Sequence, residues 1–187
     1  MNDHHLILGQ LVDFITGRTI DDTHDERYRQ KIARLLVDEK GFAKTEIRPN
    51  HPLTVRGKTQ SACVPITYII DVEERMTMLV HYGPGSLVTR HRPALALARL
   101  AAPYQIPLVV VTNGETADLL DGPTGRIVGT GLAGIPSKVQ LADRLQDYAW
   151  EPITAQRAEM EARIVMAYEV DDRCPCDDTV CRWEEKE

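Results

Sequence analysis

Several features that would settle the class of this chain at once are missing from it. No apolar run approaches the roughly 20 residues a helix needs to cross a bilayer, and the opening stretch MNDHHLILGQLVDFITG has no basic start of a secretory signal. These absences predict a cytoplasmic protein with no membrane attachment. Positive charge is in deficit, with 22 Lys and Arg against 28 Asp and Glu. A broad electropositive nucleic-acid surface is therefore excluded, although a local basic patch is not. Cysteine is scarce, with four residues in all; in a reducing compartment these are expected to be thiols rather than disulfides. The nucleotide fingerprints are absent too. No Gly-Lys-Ser/Thr follows Gly83-Pro84-Gly85, and no G-x-G-x-x-G follows a strand. No Ser or Cys nucleophile motif accompanies His81, which reads as an ordinary strand histidine. There is no internal repeat.

The content that is present fits one α/β domain with an appendage. A chain of 187 residues, 43% hydrophobic and 27% charged, can bury a real core. Its organising stretch runs from Met76 to Glu115: a buried strand Met76–Tyr82, a Gly/Pro loop, an amphipathic helix from about Thr89 with Pro93 in its first turn, and a wholly apolar strand Ile106–Thr112. Strand, loop, helix and strand make a parallel crossover, and ligands gather at the carboxyl ends of such strands.

Before this unit, Leu6–Ile15 reads as a short amphipathic helix closed by Gly17. A second helix starts at Thr23, a plausible N-cap with Glu26 as its capping-box partner, and stops at Gly41. Thr45–Ile47 reads as a weak edge strand, and Cys63–Asp71 as a strand turning through Val72–Arg75 into Met76. After the crossover, Ala117–Val128 reads as a hairpin turning at Gly122–Gly125. Helices follow at Lys138–Tyr148 and beyond Pro152, the latter with Met160, Ile164, Ala167 and Tyr168 on one side. The predicted division is 1–137 for the α/β domain and 138–187 for a helical extension with a cysteine-rich tail of no clear secondary structure.

The helix carrying Asp25-Glu26-Arg27-Tyr28-Arg29-Gln30, the antiparallel strand pair, the next helix and the strand ending Val111-Thr112-Asn113-Gly114 together resemble the N-terminal nuclease domain of type I restriction enzyme R subunits, of the PD-(D/E)XK superfamily. The resemblance covers about Asp22 to Gly131. It implies a restriction-endonuclease-like fold, a mixed sheet flanked by helices. It also implies a Mg²⁺ site made by an Asp on the second core strand and a Glu-x-Lys on the third, with Lys helping to activate water. Laid on that pattern, the Asp falls at or beside Pro65 and the Glu-x-Lys on Val80-His81-Tyr82. Alternation puts Val80 and Tyr82 on the face where Glu and Lys should stand. Glu26 matches a position that supports the metal in relatives. Asp71, Glu73 and Glu74 lie at a hairpin turn at the far end. Pro65, Val80 and Tyr82 are thus vestigial positions, and the expectation is a catalytically inactive relative serving as a nucleic-acid-binding or assembly module. The alternatives are an active Mg²⁺-dependent DNA endonuclease with relocated ligands, and a protein–protein module, such as a homodimer through the last helix.

Two further candidates come from the residues themselves. Arg90 and Arg92 stand in a helix's first turn, where the macrodipole favours anions, so Gly83, Gly85, Ser86, Arg90 and Arg92 are a candidate phosphate or acidic-group site. The competing reading pairs these arginines with carboxylates such as Glu115 or Asp118. Cys174, Cys176 and Cys181 fall within eight residues and could ligate zinc or, as some superfamily members imply, an iron–sulfur cluster, with His or Cys63 as a fourth ligand. The spacing lacks paired C-x-x-C knuckles, and a solvated acidic tail is the plainer reading.

Overall fold

A computed structural model describes residues 6–57, 60–171 and 181–183. It is an α/β fold in which a mixed sheet is covered by helices on both faces. The order along the chain is a hairpin β1 (Gly9–Val12) and β2 (Thr19–Asp22), helix α1 (His24–Arg34), and the antiparallel run β3 (Ile47–Arg56), β4 (Ser61–Val72) and β5 (Arg75–Tyr82). Helix α2 (Val88–Leu100) then crosses over to β6 (Leu108–Thr112). The hairpin β7 (Ala117–Asp121) and β8 (Ile127–Thr130), helices α3 (Lys138–Leu145) and α4 (Ala155–Val165), and β9 (Cys181–Trp183) complete it.

The large sheet has the order β3-β4-β5-β6-β7-β8. The pair β5 and β6 is parallel, with Met78 opposite Leu108 and Tyr82 opposite Thr112, and its other neighbours are antiparallel. That one parallel pair needs a crossover, which α2 supplies. Alternation along β6 explains its all-apolar sequence. Val109 and Val111 join one core with Ala94, Leu97 and Ala98 of α2 and Ala162 and Val165 of α4. Leu108 and Val110 join the other with Ile32, Ala33 and Leu36 of the α1 segment and Leu141 of α3. Helix α1 begins as expected, with Thr23 Oγ1 accepting from the Glu26 N–H at 3.1 Å. It widens into a π-helical turn over Leu35–Glu39 and ends before Gly41, whose φ of +76° suits glycine.

Five local expectations are corrected. The predicted N-terminal helix is the β1–β2 hairpin. Asp13 decides this: its Oδ1 accepts from both the N–H and the hydroxyl of Thr16, a side-chain turn that competes with helix, while Gly17 at φ +71° bonds back to the Asp13 carbonyl. The expected strand at Thr45–Ile47 is a 3-10 turn over Lys44–Glu46, and the strand proper runs through Pro49 and Pro52. Those prolines hid it, yet an edge strand tolerates them. Helix α2 starts at Val88, so Pro93 is its sixth residue and lies a turn deeper than expected. The last helix buries Glu161, Ala162, Val165, Met166, Glu169 and Val170. Of the predicted stripe, Ile164 does pack half-buried against the core, whereas Met160, Ala167 and Tyr168 face outward, Met160 and Tyr168 being 55% and 49% exposed. Finally, the tail is not without secondary structure: β9 pairs with the start of β4, setting Cys181 opposite Cys63.

Candidate functional site at the ends of the parallel strands

The ladder between β4 and β5 stops at Tyr68 opposite Val80, although β4 extends back to Ser61. Beyond that point the Tyr82 N–H donates instead to Thr67 Oγ1 at 3.0 Å. The sheet therefore opens at the carboxyl end of β5, beside the end of β6, and α1 covers this opening on one face.

Aromatic side chains fill that face. Tyr82 donates its hydroxyl to Asp25 Oδ1 at 2.9 Å, and Tyr68 donates to the Arg29 carbonyl at 2.9 Å. The Tyr28 ring stacks on Tyr82 at 6.2 Å between centroids, and the Arg29 guanidinium lies 5.4 Å over the Tyr82 ring. Tyr28 donates to Glu115 at 3.2 Å, and its ring rests directly on Gly114, where a Cβ would overlap it. Burial pushes both Tyr68 and Tyr82 up; the bond to Asp25 adds to the effect at Tyr82, and the charges of Glu26 and Asp13 add to it at Tyr68. Both are neutral phenols across the physiological range.

The nearby carboxylates are engaged with amides and a guanidinium. Gln30, itself buried, donates from Nε2 to Asp13 at 2.6 Å and to Glu26 at 2.8 Å, while its carbonyl accepts from the Phe14 N–H. Glu26 also takes Arg29 at 3.3 Å. It does not close the capping box expected of it, because its carboxylate turns toward these two partners. Burial alone would raise Asp13, but hydrogen bonds from Thr16 and Gln30 outweigh it and hold its carboxyl below the usual range.

At the positions that the resemblance assigns to metal ligands stand Val80, fully buried, Tyr82, and Pro65, which faces Pro52 across the β3–β4 ladder. A valine and a proline offer no side-chain donor atom. The Tyr82 hydroxyl is spent on Asp25. This donor set does not fit a carboxylate-held Mg²⁺. Among the described residues, no group of three or more His, Cys, Asp and Glu side chains is placed to hold a metal. Asp71 pairs with Arg48 at 2.7 Å beside the turn at Glu73 and Glu74, at the opposite end of β5.

The glycine loop is tied down from both sides. Gly83 N–H donates to the Thr112 carbonyl, Asn113 Nδ2 donates to the Gly85 carbonyl, and Thr89 donates to the Ser86 carbonyl. Gly85 has φ +83°. Arg90 lies flat on Gly83, where a Cβ would overlap its guanidinium, and reaches the Pro84 carbonyl at 3.4 Å. Gly83, Gly85, Ser86 and Arg90 thus gather in one place, whereas Arg92 points away from them. Neither expected carboxylate takes an arginine: Asp118 pairs with His91 at 2.8 Å and Glu115 accepts from Tyr28.

Arg92 instead meets Glu161 of α4, a residue with no exposed surface. Glu161 Oε1 also accepts from Arg99 Nη1 and Arg157 Nε, both at 3.0 Å, and Arg99 Nη2 continues to the carbonyls of Gly122 and Pro123. Burial would raise Glu161, yet the bonds from Arg92 and Arg157 and the charges of Arg92 and Arg99 hold it below the usual range. Eight residues on, Glu169 lies 3.4 Å from buried His81. Sequence reasoning missed both acids. Their signal is the spacing of Glu161 and Glu169 along the stripe of Ala162, Val165, Met166 and Val170, which shows only once that register is chosen over its neighbour.

Three antiparallel strands, a helical crossover to a parallel fourth and a fronting helix define an α/β domain whose sheet opens where β4 and β5 part. A family model for the type I restriction enzyme R protein N terminus matches residues 24–136, and the chain belongs to that family. No curated protein and no solved structure matches it. No helix among the described residues is long and apolar enough to cross a membrane.

Proposed function

We propose that this chain is a non-cleaving member of its family, which keeps the fold as a nucleic-acid-binding or assembly module. The observation that carries this reading is the chemistry at the end of β5. Val80 and Tyr82 stand where the resembling nucleases place an acid and an amine, and the Tyr82 hydroxyl is bonded to Asp25. A valine cannot hold a cation, and a neutral phenol does not stabilise the charge that develops on an attacking water as an ammonium does. Asp13 and Glu26 share Gln30 and so support the fold around this point. A binding role draws on the Gly83–Ser86 loop and Arg90, whose Nε has no hydrogen-bond partner.

The test is a cleavage assay with Mg²⁺ or Mn²⁺ on supercoiled, linear and single-stranded DNA, paired with anisotropy titrations of the same DNAs. No cleavage is expected. Metal-dependent cleavage that disappears in Glu26→Gln would overturn the reading and reinstate an endonuclease with relocated ligands. Binding weakened by Arg90→Ala selects the nucleic-acid role, and no binding by the parent selects assembly.

Cys174, Cys176 and Cys181 remain proposed zinc or iron–sulfur ligands. Cys174 and Cys176 lie outside the described residues, while β9 sets Cys181 opposite the half-buried thiol Cys63. Metal analysis of protein purified without chelator tests this, and metal-free protein removes it.

A further inference from the structure

The contact between α2 and α4 is unusual in its charge. Three guanidiniums converge on one carboxylate: Arg92 and Arg99 from α2, Arg157 from α4, and Glu161 between them. A single carboxylate leaves two of those charges uncompensated locally. The buried part is the pair Arg99 and Glu161, so the excess positive charge stands at the rim, on Arg92 and Arg157, where an added anion can meet it. The donors are also not used up. Arg99 is 5% exposed, and its Nε is buried with no hydrogen-bond partner. The geometry grades from floor to rim: the Arg99 side chain is 4% exposed, whereas those of Arg92 and Arg157 are 42% and 49% exposed. The charges can therefore be reached from solvent once the carboxylate moves aside. Planar guanidinium forks of this sort match the oxygens of a phosphate as well as those of a carboxylate.

We propose that Arg92 and Arg99 form a phosphate seat on α2, and that Glu161 occupies it from within the chain. The α4 carboxylate and an external phosphate compete for the same guanidiniums, so filling the seat requires the Glu161 side chain to withdraw while Ala162 and Val165 keep α4 in the core. The ligand class is a phosphate group, supplied either by a nucleic-acid backbone or by free phosphate. The nucleic-acid source rests on the proposed binding role; the seat itself does not.

Full-length parent, Glu161→Ala and Glu161→Gln are compared in phosphate and in chloride at matched ionic strength, following the melting temperature and hydrogen exchange of the 155–165 amides. Phosphate is expected to raise the melting temperature of Glu161→Ala saturably and much more than that of the parent, with the 155–165 amides exchanging faster in the variant. Adding Arg99→Ala should abolish the selective gain. Glu161→Gln keeps the side-chain shape, so it gives the same reading if the alanine variant does not fold. An equal phosphate effect on parent and variants, or none, overturns the proposal. A DNA arm separates the sources. About tenfold tighter binding of a short duplex by Glu161→Gln than by the parent, one charge-assisted contact's worth, identifies a backbone phosphate. An unchanged duplex affinity with the phosphate effect retained supports the seat with free phosphate as its ligand. Failure of the seat leaves the cleavage assay untouched, so the two proposals fall separately.

Discussion

The two faces of the central sheet stabilise their polar groups in opposite ways. On the α1 face, Tyr68, Tyr82, Gln30 and Asp13 form a hydrogen-bonded mesh in which most contacts have at least one neutral partner. On the α2–α4 face a carboxylate is buried against guanidiniums, Glu161 with Arg99 beneath and Arg92 and Arg157 at its rim, and Glu169 stands beside His81. A neutral mesh tolerates the loss of one member at the scale of a single hydrogen bond. A buried ion cluster does not, because the partner left behind keeps its charge. The α1 face, where the family resemblance puts chemistry, is thus the less electrostatically committed of the two. The α4 face depends on ionisation to stay closed.

The contrast can be broken most forcefully at Glu161. Replacing it with Ala should cost about 3–5 kcal/mol in urea unfolding, the scale of a broken buried ion pair; a loss under about 1 kcal/mol would show that the cluster contributes little. Gly114→Ala comes next, at about 1–3 kcal/mol, because φ is +86° and the new Cβ would run into the Tyr28 ring. Its check is a thermal melt together with Tyr28 ring NMR shifts, and an unmoved ring would contradict the packing described. Tyr82→Phe should cost about 1 kcal/mol, one hydrogen bond, and leave α4 undisturbed by hydrogen exchange. Arg163→Ala, which removes an exposed pair with Glu159 on the outer side of α4, should change stability by less than about 0.5 kcal/mol.

Acid sharpens the same comparison. Glu161 titrates below its ordinary value of 4.5 in the folded chain, so its contribution is complete above that value and is lost as pH falls through the lower, folded one. Exchange protection of residues 155–165 should therefore fall in that acid window. In Glu161→Gln this dependence should flatten; a profile identical to the parent's would assign it to another group.

Much of the fold was legible because its signals are local. Thr23 is an N-cap by residue type, the Gly122–Gly125 turn is marked by glycine and proline, and the run Leu108–Thr112 is too apolar to be anything but doubly buried. What escaped notice depended on partners distant in sequence. Asp13 looks like a helix residue until its turn with Thr16 and its bond to Gln30 are in place. Glu161 and Glu169 look like solvent-facing acids until α2 supplies arginines to the first and β5 sets His81 beside the second, and their burial moves the helix stripe over by one position. The site followed the same rule. The identities of Val80 and Tyr82 could be read directly, whereas the Tyr82 bond to Asp25 and the diversion of Arg92 to α4 required the fold.

Pro49 and Pro52 on β3 have one more consequence. Each removes an amide donor from β3, and because they stand three residues apart in an unshifted ladder, the two losses fall on opposite edges of the strand, only one of them on the outer border of the sheet. At the other border β8 reads Ile-Val-Gly-Thr, with no proline and no charge, and its Ile127 and Val128 are about half exposed. The two borders of the sheet therefore differ in kind: one is a strand interrupted by proline, the other a short strand without proline or charge.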